Sequence, residues 1–412
     1  MTTKNQTQVN LANVMTVGPG IHRTPLPRGF SASGVNCGVR RYRPDLGAII
    51  SDRDAVAAGV FTLNEAKGAP VRYTQSLLPA SNVRAILTNS GQANAATGAV
   101  GVERNLMMVS AFAKAFGCDL NQVLVASTGK IGEQLDIEKL LPAMPELIER
   151  ANECAESFAT AILTTDLVPK TVTTVLKLSG GDVRLTGIAK GSGMIHPNMA
   201  TMLGYILTDA EITKDHAASL VKKTADVSFN MISVDGDSST NDCSFLMANG
   251  ASGVRVSNDK DTAKFNQAVE EMCIVLAKSI AADGEGATKL IEVAITGASD
   301  LAVARQAARG VTLSPLVKTA MHGEDPNWGR ILARLGAERV STSELDKMTL
   351  HIQGVLIFAD GAPVAFDKPE VKALLKSSYI KVDIDLKSGQ HHATAWGCDL
   401  SKKYVEINTE YS

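Results

Sequence analysis

Along the chain, apolar positions switch repeatedly between helical spacing and two-residue alternation. The clearest helical stretch is 262–282, where Phe265, Val269, Met272, Leu276 and Ile280 fall on one stripe and Gly284 follows the end. Similar spacing predicts a helix over 102–116, with Leu106, Val109 and Phe112 near one face. A further run leads from an Asp136 cap through Leu140, Leu147 and Ala151. Another helix is predicted over 299–309, with Ser299 as N-cap and Gly310 past its end. Between these lie strand-like runs at 48–50, 171–177, 202–208, 350–358 and 380–386. In the last of them Val382, Ile384 and Leu386 alternate with Asp383 and Asp385. No internal repeat or low-complexity linker interrupts the pattern. It predicts an α+β fold with substantial sheet.

Composition narrows the class. A chain of 412 residues exceeds one ordinary domain. With 45% hydrophobic residues and 14 Pro, it is neither collagen-like nor disordered. Lys+Arg 41 against Asp+Glu 43 leaves no basic surplus for nucleic acid, and 4% aromatic residues provide few stacking platforms. No apolar run approaches the roughly 18 residues of a membrane span. Six cysteines (Cys37, Cys118, Cys154, Cys243, Cys273 and Cys398) form no C-x-x-C, which fits buried free thiols in a reducing compartment. Asp45 is the first acidic residue, with six basic residues before it, an acidic-poor start of the kind transit peptides have. Gly18, Pro19, Gly20, Pro25 and Pro27 break any amphipathic helix there, so a cytoplasmic protein is expected. Residues 1–200 hold 19 basic and 15 acidic residues, and 201–412 hold 22 and 28, so the halves carry opposite net signs.

Several familiar patterns are absent or incomplete. The run Gly284-Glu285-Gly286-Ala287-Thr288-Lys289 lacks the order of a phosphate loop. Asp235-Gly236-Asp237-Ser238-Ser239-Thr240 begins like a calcium loop but has Thr where the sharp turn needs Gly. No H-E-x-x-H occurs, and His391 and His392 would point to opposite faces of a strand. No dinucleotide fingerprint follows a strand. Kinase, zinc-hydrolase and dehydrogenase readings weaken accordingly, and no metal or cofactor is called for.

Chemistry concentrates in 190–204, Lys190-Gly191-Ser192-Gly193-Met194-Ile195-His196-Pro197-Asn198-Met199-Ala200-Thr201-Met202-Leu203-Gly204. Gly191 and Gly193 open backbone conformations closed to other residues, Pro197 fixes its φ, and a hydroxyl stands at the start of a strand. Such a loop can hold a peptide bond under strain. Attack of the Thr201 hydroxyl on the Ala200 carbonyl would convert the amide to an ester, which water then cleaves. The freed α-amino group of Thr201 has a reference pKa of about 8, against about 10.4 for Lys, so it can serve as base for its own hydroxyl. A Gly-rich loop before a strand is otherwise only a turn.

The same run resembles the signature of the ornithine acetyltransferase (ArgJ) family of arginine biosynthesis. Ser127-Thr128-Gly129-Lys130-Ile131-Gly132-Glu133, Thr164-Thr165-Asp166 and Val234-Asp235-Gly236-Asp237-Ser238-Ser239-Thr240-Asn241-Asp242 match further family motifs. So do Asp283-Gly284-Glu285-Gly286-Ala287-Thr288-Lys289 and Gly323-Glu324-Asp325-Pro326-Asn327-Trp328-Gly329-Arg330. The resemblance implies a layered αββα sandwich of the self-cleaving N-terminal-nucleophile type with a smaller C-terminal α/β domain. It implies an α chain, 1–200, and a β chain, 201–412, paired as an α2β2 heterotetramer. The catalytic core would run roughly over 1–290 across the cut, with the C-terminal domain roughly over 291–412. Thr201 would be the nucleophile carrying acetyl from N-acetylornithine to glutamate. Thr128 and Gly129 would form the oxyanion hole, and Thr164, Lys190, Glu285 and Asn408 would bind substrate. Lys190 suits an α-carboxylate and Glu285 an ammonium. Acetyl-CoA as a further donor separates bifunctional from monofunctional members, and no residue of the sequence decides it.

Some positions depart from the family pattern. Gln92 replaces Asn in Asn89-Ser90-Gly91-Gln92-Ala93-Asn94-Ala95-Ala96-Thr97-Gly98, and Gly68-Ala69-Pro70 follows Phe61 and Asn64 where the family has Ala-Ala-Pro. The tail ends at Ser412, near the place of a hydroxyl that contacts substrate in the family. Acceptor preference therefore stays open, with a self-processing aminopeptidase or amidase, or a paralogue acting on another N-acylated amino acid, as alternatives.

Overall fold

The computed structural model describes residues 23–196 and 202–410. Its first sheet is organised by one long strand. β1 (Phe30–Val35), β2 (Leu46–Phe61), β3 (Ala80–Gln92) and β4 (Val123–Lys130) lie at one end of it. β5 (Lys170–Leu178), β6 (Gly181–Lys190), β7 (Leu203–Thr208) and β9 (Cys243–Ala248) complete the order β4-β3-β2-β9-β7-β6-β5, with β1 on β2. The first part of β2 pairs with β1 and the second with β9. Its register against β3 shifts between Ile50 and Ala55 and again before Ala57. Such irregularities bend and twist a strand, and here the sheet turns over on itself.

Strand parity then assigns the layers. Ile49, Ile86 and Leu124 from one half meet Ile188, Tyr205, Phe245 and Met247 from the other in a shared apolar interior. The Tyr205 hydroxyl reaches that of Thr88 across this interior at 2.9 Å. Ala48 and Ile50, pointing the other way, pack with Leu87 against α1 (Gly98–Phe116) and α2 (Met144–Glu149). On the opposite outer face Leu185, Ala189, Ile206 and Leu246 meet α4 (Lys214–Val227) and α5 (Asp259–Ala282). Between α2 and α4 in the chain, α3 (Glu156–Ala161) places Phe158 into the interior. The result is helix, sheet, sheet, helix. β7 is buried on both faces, which is why 203–208 reads as an unbroken apolar run rather than an alternation.

A second sheet has the order β13-β12-β11-β14-β10-β15-β8. It is built from β10 (Leu290–Ala298), β11 (Thr349–Ile352), β12 (Val355–Ala359), β13 (Ala362–Pro363), β14 (Tyr379–Asp385) and β15 (His391–Cys398), plus β8 (Ile232–Ser233). α5 packs on β5 and β6 on one side and on β15 on the other, so one apolar cluster joins the two sheets.

Local details correct the sequence reading. The single strand expected over 350–358 is a hairpin, turned at Gln353 and Gly354, both with positive φ. The helix expected over 299–309 is α6 (Leu301–Leu313), capped by Asp300 rather than Ser299. The Ser299 hydroxyl instead donates to Glu344 Oε1 at 2.8 Å. Gly310 lies inside α6, where a Cβ would run into the Glu338 side chain. The run after Asp136 breaks into short pieces around Pro142 and Pro145. All six cysteines are free, with Cys243, Cys273 and Cys398 buried. Among the described residues no helix is long and apolar enough to cross a membrane.

Candidate active site

The ends of β4 and β6 and the starts of β7 and β9 open on one cavity of about 140 Å3. Thr128, Gly129, Thr164, Lys190, Glu285 and Asn408 all line it, although they come from five separate stretches of chain. Ala200 and Thr201 lie outside the described residues, as does Ser412. Met202, the next residue after Thr201, lines the same cavity, and its carbonyl accepts from Cys243 N at 3.0 Å.

Thr128 and Gly129 close β4 rather than cap a helix. Gly129 has φ +129, and a Cβ there would strike the Gly91 backbone, so only glycine allows β3 and β4 to pair this closely. Asn241 fastens the same end by donating to the Ser127 carbonyl at 3.0 Å. Gly193 is less tightly constrained: a Cβ on it would meet the Glu285 carboxylate, which would have to shift. Asp235 spends its carboxylate on Met194 N at 2.6 Å and Ile195 N at 2.9 Å, shaping the loop after β6 instead of a calcium site.

Lys190 is not a surface lysine. It is 7% exposed, and its Nζ donates to Thr164 Oγ1 at 2.8 Å and Thr128 Oγ1 at 3.3 Å. Asp166 Oδ2 stands 3.8 Å away. Burial pulls the Lys190 ammonium below its ordinary value, with Asp166 opposing the shift. A hydroxyl that accepts from Lys190 keeps its own O–H free to point elsewhere, and for Thr128 the cavity is adjacent. At the other side of the cavity, Glu285 Oε2 accepts from Asn408 Nδ2 at 2.8 Å. Asn408 stands on a helix, α7 (Lys402–Glu410), rather than on a frayed tail.

The ArgJ family model matches residues 31–412. The chain belongs to the ArgJ family. It is similar to the arginine biosynthesis bifunctional protein ArgJ of Thermotoga neapolitana, 44% identical over 394 residues, which cover 94% of this chain and 99% of that protein. The protein of that name from Oceanobacillus iheyensis is 44% identical over 388 residues, 93% of this chain and 95% of its own. A crystal structure of the arginine biosynthesis bifunctional protein argJ from Bacillus halodurans, 39% identical, aligns with a TM-score of 0.50. It covers 51% of this chain and 100% of its own.

This ArgJ-family site contains charged groups that motif reading left without a role. Asp166 is buried and accepts from Lys170 Nζ at 2.8 Å, Gly191 N at 2.7 Å and Thr164 N at 3.0 Å. Despite burial, Lys170 and Lys190 hold its carboxyl well below the usual carboxylate range. Asp242, one residue before β9, is pushed well above that range by burial, and its Oδ2 has no hydrogen-bond partner among the described residues. Only the motifs containing Asp166, Asp242 and Asp283 hinted at them. Nothing in local spacing marks Lys170, because burial of a charge is a tertiary property.

Proposed function

We propose that this chain is a self-processing acyltransferase that moves an acetyl group from N-acetylornithine to glutamate through an acetyl ester on Thr201. It is a glutamate N-acetyltransferase of arginine biosynthesis. The observation that carries this reading is the convergence of Thr128, Gly129, Thr164, Lys190, Glu285 and Asn408 on one cavity beside Met202. The Bacillus halodurans chain, matched along its whole length by about half of this one, is consistent with a molecule cut in two.

In processing, Thr201 Oγ attacks the Ala200 carbonyl carbon, nitrogen leaves as the α-amine, and water hydrolyses the ester to release the Ala200 carboxylate. In turnover, that amine takes the Thr201 hydroxyl proton as Oγ attacks the acetyl carbonyl. Thr128 O–H and Gly129 N–H bind the developing oxyanion, each donor worth roughly 2.7–4 kcal/mol in such sites. Ornithine leaves with its amine protonated. The glutamate amine then attacks the ester and regenerates Thr201. Lys190 and Thr164 mark the carboxylate end of the cavity, and Glu285 with Asn408 marks the ammonium end. No cofactor enters, and comparison of the two donors decides whether acetyl-CoA also acylates the same threonine. The α chain 1–200 and the β chain 201–412 remain paired as an α2β2 assembly in the cytoplasm. The catalytic core extends to about residue 290, with the C-terminal domain beyond.

The test follows acetylglutamate after incubation with N-acetylornithine or acetyl-CoA, with denaturing mass spectrometry of the protein alongside. Two fragments, the second beginning at Thr201, and transfer lost in Thr201→Ala are expected. Release of free acetate without acetylglutamate would overturn the reading in favour of a hydrolase.

A further inference from the structure

We infer that Lys170 is a positioning residue for acyl transfer, a buried cation that holds the two sides of the substrate cavity together, an inference that rests on the reading above. Its side chain is 1% exposed, and Nζ lies 2.8 Å from Asp166 Oδ1 and 2.7 Å from Asp283 Oδ2. The third acceptor is the Val168 carbonyl at 3.3 Å. All its protons are used, so Lys170 touches no substrate and acts through others.

Each carboxylate it holds supports a different wall. Asp166 anchors Thr164 through its amide, Gly191 through its amide, and faces Lys190 at 3.8 Å. Asp283 closes the end of α5 two residues before Glu285, and its carboxylate accepts from Leu167 N at 3.1 Å. The Asp283 carbonyl accepts from Ser192 Oγ at 2.7 Å, and Glu285 N donates to the Ser192 carbonyl at 3.1 Å. Charges alternate along the line Asp283, Lys170, Asp166, Lys190, two of each sign. Without Lys170, Lys190 is the one cation left within 4 Å of the Asp166 carboxylate among the described residues. It stands 3.8 Å from Asp166 and 3.3 Å from Thr128 Oγ1, so a small swing satisfies Asp166 and abandons Thr128. Lys170 thereby keeps the Lys190 charge on the oxyanion-hole hydroxyl. It also ties residues before the 200/201 bond to residues after it.

The test uses the full self-processed enzyme as wild type, Lys170→Met, Lys170→Arg and Lys170→Met/Asp283→Asn. The double variant keeps the buried charges balanced and guards against simple failure to fold. Rapid quenching and mass spectrometry give the single-turnover rate constant for acetyl-enzyme formation from N-acetylornithine. The burst amplitude, normalised to cleaved chains, counts active sites. In the double variant the amplitude is expected near wild type while the rate constant falls about 10- to 100-fold, the range that misplacement by an ångström can cost. Lys170→Arg recovers part of the rate. A wild-type rate constant in the double variant, with only the amplitude reduced, would show a purely structural lysine and overturn the inference. A wild-type enzyme that forms no acetyl ester at all overturns the reading beneath it and the inference with it.

Discussion

Thr128, half-buried, and Asp242, buried, show how single groups in this cavity matter. The Thr128 hydroxyl accepts from Lys190 at 3.3 Å, which leaves its proton free for the oxyanion of the proposed reaction. Thr128→Val is expected to lower kcat by about 10²–10³-fold with the donor KM little changed, because the lost interaction exists only in the transition state. Steady-state kinetics checks it, and a variant within tenfold of wild type removes Thr128 from the oxyanion hole. Asp242 has its folded pKa raised by burial. Its contribution to stability is therefore fully present below the unfolded value, about 3.9, and is lost as pH rises through the folded value. Asp242→Asn removes that loss. The variant should melt at or above the wild-type temperature at pH 7, with the advantage vanishing towards pH 4; a variant less stable at pH 7 than at pH 4, relative to wild type, rejects this. Motif resemblance alone names Thr128, Gly129, Thr164, Lys190, Glu285 and Asn408. The burial of Lys170 and Asp242 is not legible there, because no local pattern reports which charges a fold encloses.

At the level of elements, the periodic stretches were legible and the places where packing overrides local rules were not. The stripe through Phe265 and Ile280 is α5, three residues longer at its start because Asn258 caps it by accepting from Asp261 N. Gly310 resembles a helix terminator, yet α6 continues past it to Leu313, with the Glu338 side chain lying over the glycine. The hairpin at Gln353 and Gly354 escaped notice because 350–358 is apolar on both sides of the turn. Gly34 in β1 follows the same logic more severely. A Cβ there would penetrate the backbone carbonyl of Ser157, where α3 crosses the strand. In an ordinary strand, replacing glycine helps slightly. Here Gly34→Ala is expected to destabilise by about 1–3 kcal/mol, since neither backbone can yield without moving Phe158 from the interior. Urea denaturation measures this, and an unchanged midpoint rules out the close approach of β1 and α3.

For the whole molecule, the strand order decides how two chains produced by a cut at 200/201 would hold together. From β4 to β2 the first sheet belongs to residues before the cut, β9 and β7 to residues after it, and β6 and β5 again to residues before it. β7 pairs with β6 along 203–208, and β9 pairs with β2 over Val56 to Phe61. Separating the pieces would tear two strand ladders and open the interior that Ile49 shares with Phe245. The opposite net charges of 1–200 and 201–412 suggest attraction as the cause of cohesion, but salt screens that term to about 3 Å at 1 M while leaving ladders and apolar burial in place. The cleaved protein is therefore expected to elute as one species in 1 M NaCl and to unfold in a single transition with both fragments lost together. Size-exclusion chromatography with mass detection tests it. Fragments that part in high salt would mean that charge, rather than interleaved strands, keeps Thr128 and Lys190 facing Glu285.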